Sequence, residues 1–331
     1  MFRNIDTIAS QASQGTRGER ADLATAGKLA SPTGSLVVSV ARRSSGCGSV
    51  RSKRKCYEWK LPHVGKLSAL NPLSKPRPLG TAGAYSDPDA DRRAVERFTR
   101  IRDRLLCFLP PMDGPRVLNV ADIGCGNGAQ IEIWAARGHI VHGLDVDADC
   151  VEAAGERAAS RGLSFDLRVG FAESLPWPDE LMDICLAVEV LEHVDHWERC
   201  LDELVRILKP RGLLYLSTTN RLCPKQQEFD LPLYSWYPAV LKRRYERLAR
   251  SSHLHLAQDT KYPAVNWFTP YQLRAALRQR GLEARDRFDM IALGAAGPST
   301  KIAVELVRRF RLARLLAHVV TPCTTMLARK E

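Results

Sequence analysis

The sequence lacks the cysteine patterns of a disulfide-stabilised domain or a structural zinc site. Its nine cysteines are odd in number and scattered, and no two of them form a Cys-x-x-Cys pair. Small secreted domains carry even sets of paired cysteines, and structural zinc sites use closely spaced Cys and His ligands. We therefore predict free thiols, a reducing compartment and a cytoplasmic location.

Long apolar runs are also missing. The longest charge-free apolar stretch towards the C-terminus, residues 315–328, is interrupted by His318 and Pro322, whereas a membrane-spanning helix needs about 20 apolar residues. No secretory signal is visible near Met1, and no internal repeat occurs. With 45% apolar and 26% charged residues, the composition is that of an ordinary globular protein.

Acidic residues are scarce in the first part of the chain. Most of the net charge of +12 lies in residues 1–80, and the remainder of the chain is close to neutral. Residues 1–87 also show no sustained hydrophobic period. This composition is typical of a solvated, unfolded segment. We predict a basic, mostly disordered N-terminal arm over 1–87, with an organelle transit peptide as the alternative.

From residue 88 onward, strand and helix patterns alternate. Strand patterns occur at 117–123, 140–144, 164–169, 182–188 and 213–218, with helical patterns at 130–137, 148–160 and 201–208. A helix at 270–279, a strand at 284–291, a helix at 301–317 and a strand at 324–328 are predicted to follow. Such alternation predicts an α/β fold with a mostly parallel sheet and right-handed crossovers.

A glycine-rich loop separates the first of these strands from its helix. The loop reads Asp122-Ile-Gly124-Cys125-Gly126-Asn-Gly128. In open α/β sheets, ligands bind beyond the carboxyl ends of the strands, where glycines allow close backbone approach. A carboxylate at 122 suits an ammonium-bearing ligand better than a pyrophosphate, and Asp145 follows about 20 residues later, where an acid can bind ribose hydroxyls. The loop alone fits a nicotinamide site or a structural turn equally well.

Several motifs together resemble the core of the class I S-adenosylmethionine-dependent methyltransferases over residues 117–221. They are the Asp-led glycine loop, the acid ending the second strand, Phe171-Ala172-Glu173-Ser-Leu-Pro, Glu189-Val-Leu-Glu192-His193-Val and Leu-Lys-Pro-Arg211-Gly-Leu. Within the class, Ser217-Thr-Thr-Asn-Arg221 is similar to the ubiquinone-biosynthesis O-methyltransferases. The resemblance implies one methyltransferase domain at 88–331, with a Rossmann-like, doubly wound, mostly parallel seven-stranded sheet and an antiparallel last strand.

The same resemblance implies S-adenosyl-L-methionine as the cofactor and assigns residues to it. The glycines would line its methionine part, Asp145 would bind the ribose, and Ala172 would border adenine. Phe171 stands where relatives often carry an Asp that reaches the adenine amine, so stacking or backbone groups would replace that contact. The full set implied to bind the cofactor is Asp122, Gly124, Cys125, Gly126, Gly128, Asp145, Val146, Ala172, Glu173 and Val188.

The segment after the fourth strand offers a metal site and a base. Glu189, Glu192 and His193 match residues that are linked to a divalent metal in the ubiquinone-type enzymes, and such a set can bind Mg²⁺. Class members without metal also carry Glu-His here, which leaves the metal open. His193 is the candidate catalytic base, because an imidazole titrates near neutrality. The alternative is a structural histidine that caps the next helix.

Residues 221–269 are aromatic and basic, and we predict a substrate-side lid there. Aromatic side chains at 231–238 and 267–268 would suit an apolar or ring-bearing acceptor, whereas the alternative is a packed cap without substrate contact. Residues 241–250 form a basic helix. A solvated face and a peripheral contact with an anionic membrane are the two interpretations of this helix.

The predicted function is methyl transfer from S-adenosylmethionine to an oxygen of a small-molecule acceptor. N- or C-methylation of a metabolite, or a binding module without turnover, are the alternatives. A nucleic-acid methyltransferase would carry an Asn/Asp-Pro-Pro-aromatic element where this chain has residues 189–192. We therefore expect no specific nucleic-acid partner, and the patterns indicate no particular oligomeric state.

Overall fold

The structure is a computed structural model. It describes residues 35–37, 88–109, 116–226, 228–229, 231–251, 256, 262–292 and 297–331. Apart from the short segment 35–37, the predicted N-terminal arm lies outside the described residues.

One mixed sheet forms the centre of the molecule. Its strands are β1 (Ser35–Val37), β2 (Asn119–Ile123), β3 (Ile140–Asp145), β4 (Asp166–Val169), β5 (Met182–Val188), β6 (Leu208–Thr219), β7 (Leu282–Asp286) and β8 (Cys323–Lys330). The strand order is β1-β4-β3-β2-β5-β6-β8-β7. Strands β4, β3, β2, β5 and β6 are parallel, and β8 runs antiparallel to both β6 and β7. The predicted seven-stranded sheet with an antiparallel last strand is confirmed, and β1 adds an antiparallel edge strand beside β4.

Helices cover both faces of this sheet. They are α1 (Pro88–Phe108), α2 (Ala129–Ala135), α3 (Ala148–Ser160), α4 (Trp197–Ile207), α5 (Ala239–Ser251), α6 (Pro270–Arg278), α7 (Pro298–Arg309) and α8 (Arg311–Val319). Two helix starts follow from side-chain caps. Asp147 accepts from the Asp149 amide before α3, and Thr269 accepts from the Gln272 amide before α6, which supplies partners for otherwise unpaired donors.

Two boundaries differ from the sequence prediction for identifiable reasons. The single helix predicted at 301–317 is divided, because Phe310 has an extended backbone between α7 and α8. The strand predicted at 284–291 ends at Asp286, whose carboxylate accepts from the amides of Phe288 and Asp289 and so closes a turn. Short side-chain-to-backbone bonds of this kind compete with strand pairing.

The core lies on both sides of the sheet, and β5 shows this most clearly. Every residue of β5 is buried. Ile184 and Leu186 pack with α1, α2 and α3, whereas Cys185 and Ala187 pack with α4 and α6 on the other face. This two-sided burial explains the continuous apolar run in the sequence. Because both faces of the sheet are covered by apolar side chains, polar side chains meet in the loops at the carboxyl ends of β2, β3 and β5.

Candidate active site

A cavity of about 570 Å³ lies at the carboxyl ends of β2, β3 and β5. This is where ligands bind in open α/β sheets, and the volume is ordinary for a small-molecule site. Nearly all the residues predicted to bind cofactor or metal line it: Asp122, Gly124, Cys125, Gly126, Asp145, Val146, Ala172, Glu173, Val188, Glu189, Glu192 and His193. Arg97 of α1 and residues 322–323 before and in β8 also line it.

The glycine loop is held against the end of β3. The amides of Gly124 and Cys125 both donate to the Leu144 carbonyl, at 2.7 and 3.1 Å. Gly124 has a φ of +73°, and a Cβ at this position would lie 2.5 Å from Cγ2 of Val190. Only glycine fits both requirements without displacing neighbours.

Gly128 has a different position from the other predicted cofactor residues. It does not line the cavity and instead precedes α2, with a φ of +76°. A Cβ at Gly128 would lie 2.9 Å from the Cβ of Ala154 in α3. Its place in the motif therefore reflects the close packing of α2 against α3.

Two carboxylates flank the loop. Asp122 is buried, and its Oδ1 accepts from Nε2 of Gln130 at 2.9 Å. Asp145 accepts from the Gly126 amide through Oδ2 and from the Asp147 amide through Oδ1, both at 2.9 Å. Sequence reasoning missed Gln130, since its contact with Asp122 joins the first turn of α2 to β2 across the glycine loop, and no local pattern shows which way this side chain turns.

Burial raises the pKa values of these two acids. It raises the pKa of Asp122 well above the usual carboxyl range, and the nearby Asp145 raises it further. Burial also raises the pKa of Asp145, against the opposing effect of its backbone hydrogen bonds. A cationic ligand beside these acids would favour their ionised forms. The residues therefore fit S-adenosylmethionine, which carries a sulfonium and an ammonium group.

Glu189 directly follows β5 in a left-handed backbone conformation, with a φ of +59°. Its amide donates to the Ser217 carbonyl at 2.8 Å. Its carboxylate accepts from Nη2 of Arg97 at 2.5 Å, which ties α1 to the cavity wall. Arg97 was missed in the sequence because α1 precedes every motif, and no local pattern indicates a partner 92 residues away.

Glu192 is fully buried beside the cavity. Its Oε2 accepts from Oγ1 of Thr218 at 2.8 Å. Burial raises its pKa well above the usual range, and the neighbouring Glu228 and Glu189 add to this. Through its hydrogen bond to Thr218, Glu192 joins the segment after β5 to the end of β6.

The predicted metal set is not supported. Among the residues that the structure describes, no group of three or more His, Cys, Asp or Glu side chains is arranged to hold a metal ion. Glu189 is paired with Arg97, and Glu192 is turned to Thr218. In the described residues, the two carboxylates and His193 are therefore not gathered into the predicted Mg²⁺-binding set.

His193 lies in the cavity wall, and its Nε2 is 4.0 Å from Oε2 of Glu228. Burial lowers the pKa of His193, so the imidazole is neutral near pH 7 and can accept a proton. The N-cap position of α4 is occupied by His196, whose side chain makes no capping hydrogen bond. His193 therefore does not have the capping role that was the alternative to a base.

The segment 221–269 contributes little of its aromatic content to the cavity. Among its described residues, those in the cavity wall are Gln226, Glu228, Tyr262 and Pro263. Most of the aromatic side chains form a packed cluster of their own: Phe229, Tyr234, Tyr237, Tyr245 and Trp267. The aromatic cluster therefore packs as a cap, while other residues of the same segment face the cavity. Glu228, which sequence reasoning missed, is the side chain through which the segment reaches His193, and burial followed by the charge of Glu189 raises its pKa to about 7.

Sequence comparisons agree with this geometry. Residues 121–216 match the family model described as a methyltransferase domain. A ubiquinone biosynthesis O-methyltransferase of Maricaulis maris is 30% identical over 237 residues, which cover 68% of this chain and 85% of the relative. The protein of the same name from Brucella anthropi is 34% identical, covering 60% and 78% of the two chains.

Among solved structures, a SAM-dependent methyltransferase from Aquifex aeolicus covers 74% of this chain and 99% of its own, with 15% identity and a TM-score of 0.43. The motifs, the carboxylate-flanked glycine loop and the coverage of the sequence relatives agree. The chain belongs to the class I S-adenosylmethionine-dependent methyltransferase family.

Proposed function

We propose that this enzyme transfers the methyl group of S-adenosylmethionine to a hydroxyl oxygen of a small-molecule acceptor. The observation that carries the proposal is the position of the His193 imidazole in the cavity wall, with its Nε2 4.0 Å from Oε2 of Glu228. Methylation of a hydroxyl must remove a proton, whereas the sulfonium already activates the methyl group. A base in this position therefore suits an acceptor that must lose a proton as it is methylated, as a hydroxyl does.

The cofactor end of the cavity supplies binding and orientation. Asp145, already fixed by two backbone amides, would accept the ribose hydroxyls with its remaining lone pairs. Asp122 and the glycine loop would hold the methionine part, and Phe171 offers an exposed ring in the cavity wall for adenine to stack on. These contacts would place the electrophilic methyl group near the end of β5.

The proton balance follows from His193 and Glu228. As the acceptor oxygen bonds to the methyl carbon and the carbon–sulfur bond breaks, the hydroxyl proton would pass to the His193 imidazole. The imidazolium would be stabilised by Glu228, which is partly ionised at neutral pH because its pKa is about 7. Glu228 thus acts as a positioning and charge-stabilising residue and His193 as the base.

The relatives' names support a phenolic acceptor, since ubiquinone is a ring compound with methoxy groups. The test is a transfer assay with isotopically labelled cofactor and a simple catechol as the probe. We expect a methyl ether from the wild-type enzyme. His193→Ala should lower kcat about 10²-fold or more, while calorimetry shows unchanged affinity for S-adenosylhomocysteine.

A matched control is His196→Ala, which removes a nearby imidazole that precedes α4 and lies outside the cavity wall. We expect this variant to keep wild-type turnover. Exclusive labelling of amine or carbon acceptors would contradict O-methylation, and so would wild-type turnover by His193→Ala. Cofactor binding without transfer to any acceptor would indicate a binding module.

A further inference from the structure

The helix pair α7–α8, which connects β7 to β8, exposes most of its large apolar side chains. Their exposed fractions range from 36% to 78%. The apolar side chains concerned, here called the α7–α8 surface, are Ile302, Leu306, Phe310, Leu312, Leu315, Leu316 and Val320. Surface helices normally turn such residues towards the core, and a contiguous apolar surface usually marks an interaction site.

Helix α8 in particular has its polar side turned inward. Arg314 donates to Asp286 and Asp289, and Nε2 of His318 lies 3.1 Å from Oδ2 of the buried Asp286. Leu312, Leu315 and Leu316 therefore point away from the protein. The orientation is fixed by this buried ion cluster, so the exposed apolar side is a built feature of the fold.

Cations surround the α7–α8 surface. Lys301, Arg309 and Arg311 are exposed along the pair, and Glu305 is its exposed acid. An apolar helical face rimmed by Lys and Arg is the composition that binds at the interface of an anionic bilayer.

The α7–α8 surface is followed directly in the chain by residues of the active-site cavity wall. Helix α8 ends at Val319, and Pro322 and Cys323 line the cavity. Nδ2 of Asn220 donates to the carbonyls of His318 and Thr321 at 2.8 and 2.7 Å, which ties the end of α8 to the end of β6. A ligand held at the end of α8 is therefore close to the cavity.

We propose that the α7–α8 surface docks the enzyme on a bilayer containing acidic phospholipids and presents the cavity to an acceptor dissolved in that bilayer. Docking itself is independent of the chemistry, whereas delivery of the acceptor rests on the proposed O-methylation. The apolar side chains would enter the headgroup boundary, and the rim of cations would contact lipid phosphates.

The test is co-sedimentation of the full chain with vesicles of phosphatidylcholine alone or with phosphatidylglycerol added. We expect binding to the anionic vesicles and little to the neutral ones. The double variant Leu312→Glu/Leu316→Glu should weaken anionic-vesicle binding at least about tenfold, because it places two charges at the apolar interface. Arg309→Glu/Arg311→Glu should weaken it and remove most of its salt dependence.

The matched control is Val117→Glu/Arg137→Glu. Both residues are exposed and lie at the amino ends of β2 and β3, opposite the cavity. This control variant replaces one exposed apolar residue and one exposed cation with glutamate, and we expect it to bind vesicles as the wild type does. Wild-type failure to bind anionic vesicles, or equal losses in the control, would overturn the proposal.

Two further measurements distinguish membrane docking from the proposed O-methylation and from self-association of the chain. Turnover of Leu312→Glu/Leu316→Glu on the water-soluble catechol should equal that of the wild type, and the same variant should lose activity on an acceptor supplied in vesicles. If the proposed O-methylation is wrong, the wild type fails on catechol while vesicle binding stays intact. If sedimentation velocity without lipid shows a wild-type dimer that Leu312→Glu/Leu316→Glu dissociates, the surface binds a second copy and the membrane proposal is refuted.

Discussion

Replacing Gly124 with alanine tests the geometry of the cofactor loop directly. The backbone at Gly124 is left-handed, which costs a residue with a Cβ about 1–2 kcal/mol. The new Cβ would also lie 2.5 Å from Cγ2 of Val190, which is 8% exposed and packed in the core. Because Gly124 is bonded to the Leu144 carbonyl, relief of this contact must move the loop. We expect a stability loss of about 2–4 kcal/mol and at least tenfold weaker binding of S-adenosylhomocysteine.

Gly162→Ala provides the matched control for backbone strain. Gly162 has a φ of +62°, and a Cβ there meets nothing within 4 Å. This variant should lose about 1–2 kcal/mol without any change in ligand affinity. Urea unfolding and titration calorimetry on both proteins give the comparison.

A double variant tests whether Cγ2 of Val190 causes the loss of affinity in Gly124→Ala. Val190→Ala removes the Cγ2 that the new methyl group would meet, so Gly124→Ala/Val190→Ala should regain part of the affinity that Gly124→Ala alone has lost. The reasoning is refuted if Gly124→Ala binds S-adenosylhomocysteine as the wild type does. It is also refuted if Gly162→Ala loses as much affinity as Gly124→Ala.

Three further predictions concern charge and stacking. Burial alone would raise the pKa of Asp286, but the hydrogen bond from His318 and the nearby arginines lower it below the ordinary carboxyl value. The contribution of Asp286 to folding stability is therefore full above about pH 4 and is lost as the pH falls below that. Asp286→Asn should therefore cost about 3 kcal/mol at pH 7 and progressively less below pH 4 in urea unfolding, and a pH-independent difference would contradict this. Since burial lowers the pKa of His193, the acid limb of the kcat profile should lie below the ordinary histidine value of about 6.5, and a limb above it would argue against this base. Phe171→Ala should weaken S-adenosylhomocysteine binding about tenfold through lost stacking, with an unchanged Tm because the ring is 67% exposed.

The sequence predicted the parts of this molecule that depend on local pattern. The strands from β2 to β6 were predictable from apolar runs that are bounded by glycine and polar residues. The cavity residues were predictable because they directly follow these strands. Asp147 caps α3 as its position before the helix suggests. These features depend on the backbone periods of strands and helices and on capping chemistry, all of which neighbouring residues encode.

The parts that escaped prediction depend on distant partners. Arg97 reaches Glu189 across 92 positions, and Glu228 reaches His193 from the segment after β6. The Mg²⁺ set lacks support for the same reason, because the partners of Glu189 and Glu192 come from other elements. Residue identity shows which groups can bind a metal, but only the three-dimensional packing shows which of them already have another partner.

The place of β8 in the sheet has a consequence for how the chain folds. This strand is the last element in sequence, yet it is inserted between β6 and β7 and supplies the neighbour of β7 in the sheet. Until β8 is synthesised, the edges of β6 and β7 that pair with it have free hydrogen-bonding groups, which are prone to intermolecular pairing. Deletion of Cys323–Lys330 alone would leave both β6 and β7 without their shared neighbour, so quality control would meet an aggregating product rather than an active enzyme.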